Sequence, residues 1–323
     1  MNNIDEVRKR EKEAILFLLR KIKPYFEDPD VTNIWVDDGI VSFKKFGQEI
    51  QSTDTYLTAQ ECMTIIDDIA SHMNIVINPH EYPVLEGTIP SWNARITGIY
   101  KWVKFPFITI RKRPTKVFSI DTYIERGQLT KDKADLIKKY IKDKKNILVS
   151  GGTDSGKTTF TNAIIHEMAL NTPNERFYIV EDNPEIQCTA KYTQFLTIDT
   201  EDAFKCVKLA LRASPNRIIF GEIRDGRVLW ALLDSWNTGH PGGVSTIHAS
   251  SAEGTFLRMK TLLKQAFGIE QPVKDLIDMI VHLQKTPQGI EIDEVIVTDD
   301  YTDSQIEEIA KLSIEADNNS SFF

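Results

Sequence analysis

The stretch ILVSGGTDSGKTTFTNAIIHEMAL, from Ile147 to Leu170, decides how the second half of this chain folds. It opens on a short apolar run, breaks at Gly151-Gly152, and resumes after Gly156 as helix-forming residues. Gly151, four residues, then Gly156-Lys157-Thr158 is a complete G-x-x-x-x-G-K-[ST] pattern with a strand before it and a helix after it. The pattern predicts a loop over Gly151, Gly152, Thr153, Asp154, Ser155, Gly156, Lys157, Thr158 and Thr159 whose backbone N–H groups turn onto phosphate oxygens. The helix that follows aims its positive end at the same point. Lys157 is expected to reach the β- and γ-phosphates of ATP, and the Thr158 hydroxyl to ligate Mg²⁺. A Gly-rich turn with a coincidental lysine is the alternative; the flanking strand and helix count against it.

Asp154 is out of character in such a loop. A carboxylate beside a triphosphate weakens binding through like-charge repulsion. In these loops, however, it is mainly the backbone that faces the phosphates, and aspartate tolerates left-handed backbone better than most residues. The expectation is weakened affinity, not lost binding.

Outward from the loop, helix and strand patterns alternate. Helix over 131–141, strand over 146–150, helix over 157–169, strand over 176–181, helix over 203–212 and strand over 217–221 predict an α/β domain on a largely parallel sheet. Before it, residues 1–113 read as a smaller α+β domain. Val7, Ile15, Leu18, Leu19 and Ile22 fall near helical spacing, and Pro24 disfavours continuation of that helix. VTNIWVDDGIVSF is a hairpin around Asp-Asp-Gly, a second helix lies near Thr58 to Met73, and the aromatic and β-branched run from Gly87 to Pro114 reads as antiparallel strands. Polar residues 114–130, with Pro114 and Gly127, read as a linker, 131–323 as the second domain, and the tail EADNNSSFF as frayed.

The bulk numbers agree with two domains. The 323 residues are comfortable for two cores, and 41% hydrophobic with 27% charged residues gives a chain that buries a core and stays soluble. A net charge of -8 argues against a protein that coats nucleic acid electrostatically, and no sequence-specific nucleic-acid binding is expected. Cys62, Cys188 and Cys206 are scattered and odd in number, so buried free thiols of a reducing cytoplasm are expected instead of disulfides or a metal site. The first 26 residues do not read as a signal peptide, and no run approaches the roughly 18 apolar residues of a membrane span, so any membrane association is expected to be peripheral.

Further stretches carry chemistry. FYIVEDNPEIQC ends a β-rich run at Glu181-Asp182, and LRASPNRIIFGEIRDG ends another at Glu222. Carboxylates at strand ends beside a phosphate loop are where a nucleotide-bound metal and its attacking water sit. Glu222 is expected to orient that water, and Glu181 to hold the water or the metal shell. An isolated acid at a strand end is more often a solvated turn or ion pair; two beside a phosphate loop shift the balance. In WNTGHPGGVSTIHAS, His248 is expected to sense the γ-phosphate by bonding the nucleotide or the acid that handles water. A satisfied structural histidine is the alternative.

The ordered set GGTDSGKTT, EDNPE, LRASPNRIIFGEIRD and NTGHPGGVSTIHA resembles the secretion-superfamily traffic ATPases, and among them the type IV secretion and conjugal transfer ATPases of the TrbB kind. The resemblance is strong from about Ile147 to Leu263. It implies a RecA-like ATPase domain behind a PAS-like N-terminal domain, hexameric rings, and nucleotide held between the two domains near the next subunit. It implies cytoplasmic proteins, peripheral at the inner face of the inner membrane, whose partners are inner-membrane components and other ATPases of the apparatus. It assigns phosphate contacts to N-terminal arginines matching Arg95, Arg111 and the adjacent Arg113; a guanidinium fork suits that task, with a solvated basic loop as the alternative. The family has glycine where Asp154 stands and often arginine where Ser214 stands; Arg212 matches a ring-interface arginine or a packing one. Motors of type IV pili or type II secretion are the alternative within the superfamily, although three scattered cysteines do not make the tetracysteine zinc site that many of the latter carry. A nucleotide-binding scaffold with little hydrolysis is the alternative outside it.

Overall fold

A computed structural model describes residues 3–45, 48–78, 81–89, 92, 94–112, 117–182, 184–198, 202–268, 273–287 and 289–309. Backbone contacts divide the chain into two units, Met1–Lys116 and Val117–Phe323. The tail expected to fray, EADNNSSFF, lies outside the described residues.

In the first unit, six antiparallel strands form one sheet among the described residues: β1 (Val31–Asp37), β2 (Ile40–Lys45), β3 (Ile50–Tyr56), β4 (Val84–Ile89), β5 (Ala94–Ile99) and β6 (Phe107–Arg111), in the order β3-β2-β1-β6-β5-β4. The expected hairpin turns at Asp38 and Gly39, with φ of 48° and 82°. Two left-handed residues in a row give the turn whose twist matches the flanking strands. Strand β3 (IQSTDTY) escaped the sequence reading because it is a polar, mostly exposed edge. Helices α1 (Asn3–Leu18), α2 (Lys23–Glu27) and α3 (Ala59–His72) contribute to the same core, where Ile15, Ile22 and Phe26 join Ile65 and Ile69 over Ile34 and Ile110. As expected, Pro24 is not crossed by the first helix, which ends at Leu18. It opens α2 from the first turn, where its missing N–H has no intrahelical partner to lose. Thr58 and Glu61 close a reciprocal cap on α3: Thr58 Oγ1 accepts from Glu61 N at 3.2 Å, and Glu61 Oε2 accepts from Thr58 N at 2.8 Å.

In the second unit the chain runs through α4 (Ile120–Glu125), α5 (Lys131–Lys142), β7 (Ile147–Gly151), α6 (Lys157–Asn171), β8 (Arg176–Glu181), β9 (Tyr192–Thr197), α7 (Ala203–Ala210), β10 (Arg217–Ile223), α8 (Gly226–Asn237), β11 (Val244–His248), α9 (Ala252–Phe267), β12 (Met279–Thr286) and β13 (Gly289–Val297). Its sheet has the order β13-β12-β7-β11-β10-β8-β9, parallel throughout except for the β12–β13 hairpin. Strand β7 is buried along its whole length, which explains its unbroken apolar reading. The segment 114–130 contains more than a connector. Its described part folds into α4, capped by Ser119, and the aromatic ring of Tyr123 packs edge-on against Phe160 of α6.

Three polar anchors fix the end of this sheet where its parallel strands begin. Arg217 is fully buried; its Nε donates to Glu175 at 2.7 Å and its Nη1 to the Gly242 carbonyl at 2.7 Å. The Trp236 indole N–H donates to the Ile218 carbonyl at 2.9 Å. Asn146 Oδ1 accepts from Gly242 N at 2.9 Å. Gly243 lies against that indole so closely that a Cβ would fall 2.0 Å from Nε1. All three cysteines are free. Cys62 and Cys206 are buried as expected, burial pushing the Cys62 thiol up to about 11, whereas Cys188 on the connection into β9 is only half-buried.

Candidate active site

The parallel strands β7, β10 and β11 all end at one edge of the sheet, and the candidate residues gather there. The loop after β7 leaves the strand at Gly151 (φ 151°) and enters α6 at Gly156 (φ 85°). Both positions need glycine: a Cβ would fall 2.3 Å from the Leu283 carbonyl oxygen at Gly151 and 2.8 Å from an Ile290 methyl at Gly156. The β12–β13 hairpin thus packs against the loop from one side. Between the glycines, Gly152, Thr153 and Asp154 are exposed and Ser155 is buried, its Oγ without a partner among the described residues. Thr158 and Thr159 stand half-buried in the first turn of α6. Asp154 adopts left-handed backbone (φ 57°) with its side chain outward, the geometry for which glycine is the unstrained choice.

Lys157 is buried, and its ammonium donates to the loop's own carbonyls, Gly152 O at 2.6 Å and Gly151 O at 3.0 Å. Burial lowers its pKa from the ordinary lysine value, against the opposing pull of Glu222 and Asp154. The ammonium also lies 3.5 Å from His248 Nδ1. A cation at that nitrogen demands a lone pair there, so the proton of neutral His248 sits on Nε2, which points at Glu222 Oε1 from 2.6 Å. The contact is short but bent: Oε1 is buried and has no well-aligned donor among the described residues. Burial first, and the Lys157 charge second, push the His248 pKa below its usual value, with Glu222 opposing.

Glu222 reaches this position through a bulge. The β10–β11 register shifts between Phe220 and Glu222, and Gly221 lets the strand pass Glu181, whose Cβ would lie 2.9 Å from a Cβ at position 221. Glu222 Oε2 accepts from Arg224, which also donates to Asp182. Burial opposes the Arg224 charge, yet Glu222 and Asp182 together hold its pKa above the ordinary value. Asp225 caps α8, accepting from Arg227 N at 2.7 Å. Glu181 is buried, and its Oε2 accepts from Glu185 N at 2.7 Å and Ile186 N at 2.9 Å, tying down the segment after β8.

Lys157, His248 and Glu222 therefore meet, with Glu181 behind Gly221. Arg95 and Arg111 lie directly opposite each other on β5 and β6 of the first unit, both exposed. Arg113 lies outside the described residues. The sequence reading missed the part played by Arg224, whose double grip on Asp182 and Glu222 is visible only once β8 and β10 are adjacent. It also missed Asn162, which accepts from Gln187 N at 2.9 Å and donates to the Glu185 carbonyl at 3.1 Å. An asparagine amid apolar helix residues was the available signal. His240 turns out to be structural: Nδ1 lies 2.8 Å from the Pro215 carbonyl, at the end of β11 away from the loop.

The chain matches the sequence profile of the family described as Type II/IV secretion system protein over residues 71–311 and belongs to that family. It is 35% identical over 286 residues to a probable conjugal transfer protein TrbB of Sinorhizobium fredii (strain NBRC 101917 / NGR234), covering 87% of each chain. It is 33% identical over 296 residues to the conjugal transfer protein TrbB of Rhizobium radiobacter, covering 90% of this chain and 91% of that one. These are relatives of the kind the four motifs pointed to. Among solved structures, the Legionella pneumophila ATPase DotB shares the fold at a TM-score of 0.69 with 18% identity, over 93% of this chain and 88% of that one. No helix among the described residues is long and apolar enough to cross a membrane.

Proposed function

We propose that this chain is a RecA-like ATPase that powers assembly or substrate passage in a type IV secretion or conjugative transfer apparatus, working as a hexameric ring at the cytoplasmic face of the inner membrane. The observation that carries the proposal is the convergence of Lys157, His248 and Glu222 at the ends of β7, β11 and β10, against a glycine-cradled loop at a helix N-terminus. The loop fits a triphosphate. Gly151 and Gly156 keep it open where side chains would intrude, and a buried Ser155 hydroxyl and a cation line it.

In this mechanism Lys157 exchanges the carbonyls of Gly151 and Gly152 for phosphate oxygens. Glu222 takes the proton of the attacking water through its carboxylate. His248, neutral and protonated on Nε2, positions that carboxylate. Thr158 and Glu222 would hold Mg²⁺ together with the phosphates, and the ion supplies charge neutralisation at the leaving group. Glu181, whose Oε2 braces the segment after β8, would serve the water or the metal shell beside Glu222. Phosphate recognition by Arg95, Arg111 and Arg113, and coupling of hydrolysis to movement of the N-terminal domain, belong to the same proposal, as do inner-membrane partners.

Steady-state phosphate release tests the reading. Glu222→Gln is expected to retain ATP binding and to lower turnover by about 100-fold or more, while Lys157→Ala abolishes binding in titration calorimetry. Wild-type release no faster than that of Glu222→Gln would leave a nucleotide-responsive scaffold instead of a motor.

A further inference from the structure

A second cluster of chemistry-bearing groups lies on the β12–β13 hairpin, beside the strand that leads into the phosphate loop. His282 stands opposite Glu294 in the antiparallel register, and Leu283 opposite Ile292, so Asp293 is an extra residue bulged out of β13. Neighbours on a regular strand point to opposite faces. A bulge re-aims one of them, and here both carboxylates come to the same imidazole. One imidazole nitrogen of His282 and one oxygen from each of Asp293 and Glu294 all lie within 4.8 Å of one another.

We infer that His282, Asp293 and Glu294 form a binding site for a divalent transition-metal ion of the zinc class, separate from the nucleotide pocket. His282 is 3% exposed; its Nδ1 lies 2.7 Å from Asp293 Oδ1, and its Nε2 is buried without a partner among the described residues. Glu294 holds the Ala252 amide through Oε2 at 2.9 Å, leaving Oε1 to turn toward the ring. No lysine or arginine ion-pairs with either carboxylate among the described residues. Lys133, the cation at the rim, donates instead to the backbone carbonyls of Ile292 and Asp293, at 3.3 and 2.5 Å. Glu294 is exposed and Asp293 half-buried, so an ion has a path from solvent.

One imidazole nitrogen with two carboxylate oxygens suits Zn²⁺ and its neighbours, whereas Mg²⁺ prefers an all-oxygen shell that keeps several waters. Metal–ligand bonds near 2.1 Å set tetrahedral donors about 3.4 Å apart. The carboxylates reach that spacing by rotation about their own side-chain bonds. When the ion takes the Nδ1 lone pair, solvent removes the Nδ1 proton and returns one to Nε2, so the imidazole stays neutral and no net proton is gained or lost. Ser150, the register neighbour of His282 on β7, carries a buried hydroxyl that likewise lacks a partner among the described residues. Because Leu283 pairs with Gly151, the ion would fasten the bulge of a hairpin that flanks the phosphate loop.

The test is a titration of the full chain with zinc chloride against a chromogenic zinc chelator, in the absence of nucleotide. One equivalent is expected to stay with the wild-type protein. Asp293→Asn with Glu294→Gln, which keeps the hydrogen bonds to His282 and Ala252, is expected to weaken zinc binding at least about tenfold with an unchanged circular dichroism spectrum. Should that variant unfold, zinc-edge X-ray absorption of the wild-type protein decides, the expected shell being one imidazole with oxygens. Failure to bind one equivalent, full retention by the double variant, loss only in His248→Gln, or an absorption shell without imidazole would each overturn the site.

Discussion

His248 and Glu222 meet at the ends of adjacent parallel strands, with Nε2 of the first 2.6 Å from Oε1 of the second. The other imidazole nitrogen faces the Lys157 ammonium, so the histidine is sandwiched between a cation and a carboxylate and is useful only in its neutral form.

Under the proposed mechanism, that sandwich makes turnover pH-dependent. The His248 pKa lies below 6.5 because burial and Lys157 disfavour the charged ring, so the folded state binds fewer protons here than the unfolded chain. Its contribution to stability is complete above 6.5 and declines as the pH falls toward the lowered folded value. Turnover is expected to fall only around the lowered folded value, where Nδ1 of the native enzyme gains a proton against Lys157. His248→Gln is expected to lower kcat roughly 10- to 100-fold, less than loss of a general base itself, and to erase that acid limb. An unchanged pH profile in the variant would remove His248 from the relay.

Asp154→Gly combines two effects of the same sign. Relief of a left-handed backbone at φ 57° is worth roughly 1 kcal/mol, and a negative charge leaves the phosphate edge. Thermal unfolding is expected to shift upward and the Kd for ATP to fall by about threefold or more, since the exposed carboxylate acts through solvent. Equal or weaker ATP affinity, measured by calorimetry, would show that the aspartate has acquired a compensating role.

Gly243→Ala is expected to destabilise the protein by about 3 kcal/mol, because the new methyl would fall 2.0 Å from the Trp236 indole nitrogen and 2.6 Å from the Ile218 carbonyl. Trp236 is 1% exposed and hydrogen-bonded to that carbonyl, so neither neighbour yields easily. Urea unfolding measures the loss; a change under 0.5 kcal/mol on the order of experimental error would mean that β11 shifts freely.

Glu61 is expected to contribute modestly to the acid stability of the first unit, since its ion pair with Lys21 is screened by solvent. The Lys21 ammonium, followed by the Thr58 backbone N–H, holds its carboxyl down from 4.5 to about 2. The stabilisation is present above 4.5 and is lost as pH falls through about 2. Glu61→Gln is expected to flatten the stability-against-pH curve across that window; a curve superimposable on wild type would assign the acid limb to other carboxylates.

Much of this architecture was legible in the chain because local and tertiary demands agree. β7 opens on Ile147-Leu148-Val149 because it is covered on both faces, α3 declares itself through Thr58 and Glu61, and the Asp38-Gly39 turn could hardly be anything else. Among the elements not assigned from the sequence, which also include β9, α8 and α9, polar edge strand β3 and six-residue α4 carry little periodic signal, and the burial of β12 and β13 is settled by partners distant in sequence. At the candidate site, the loop from Gly151 to Thr159 was readable from its spacing. The chain of contacts through His248, Glu222, Arg224 and Asp182 was not, since it depends on which strands become neighbours.

Strand β11 is only five residues long, yet its two ends serve unrelated tasks. One end, through Gly242 and Gly243, is clamped by Asn146, Arg217 and Trp236; the other presents His248 to the phosphate edge. Substitutions scattered along His240 to His248 would therefore score alike in any screen that reads transport from living cells, some by lowering the amount of intact protein and others by stalling the engine. Abundance measured beside output would split such a collection at about Thr246.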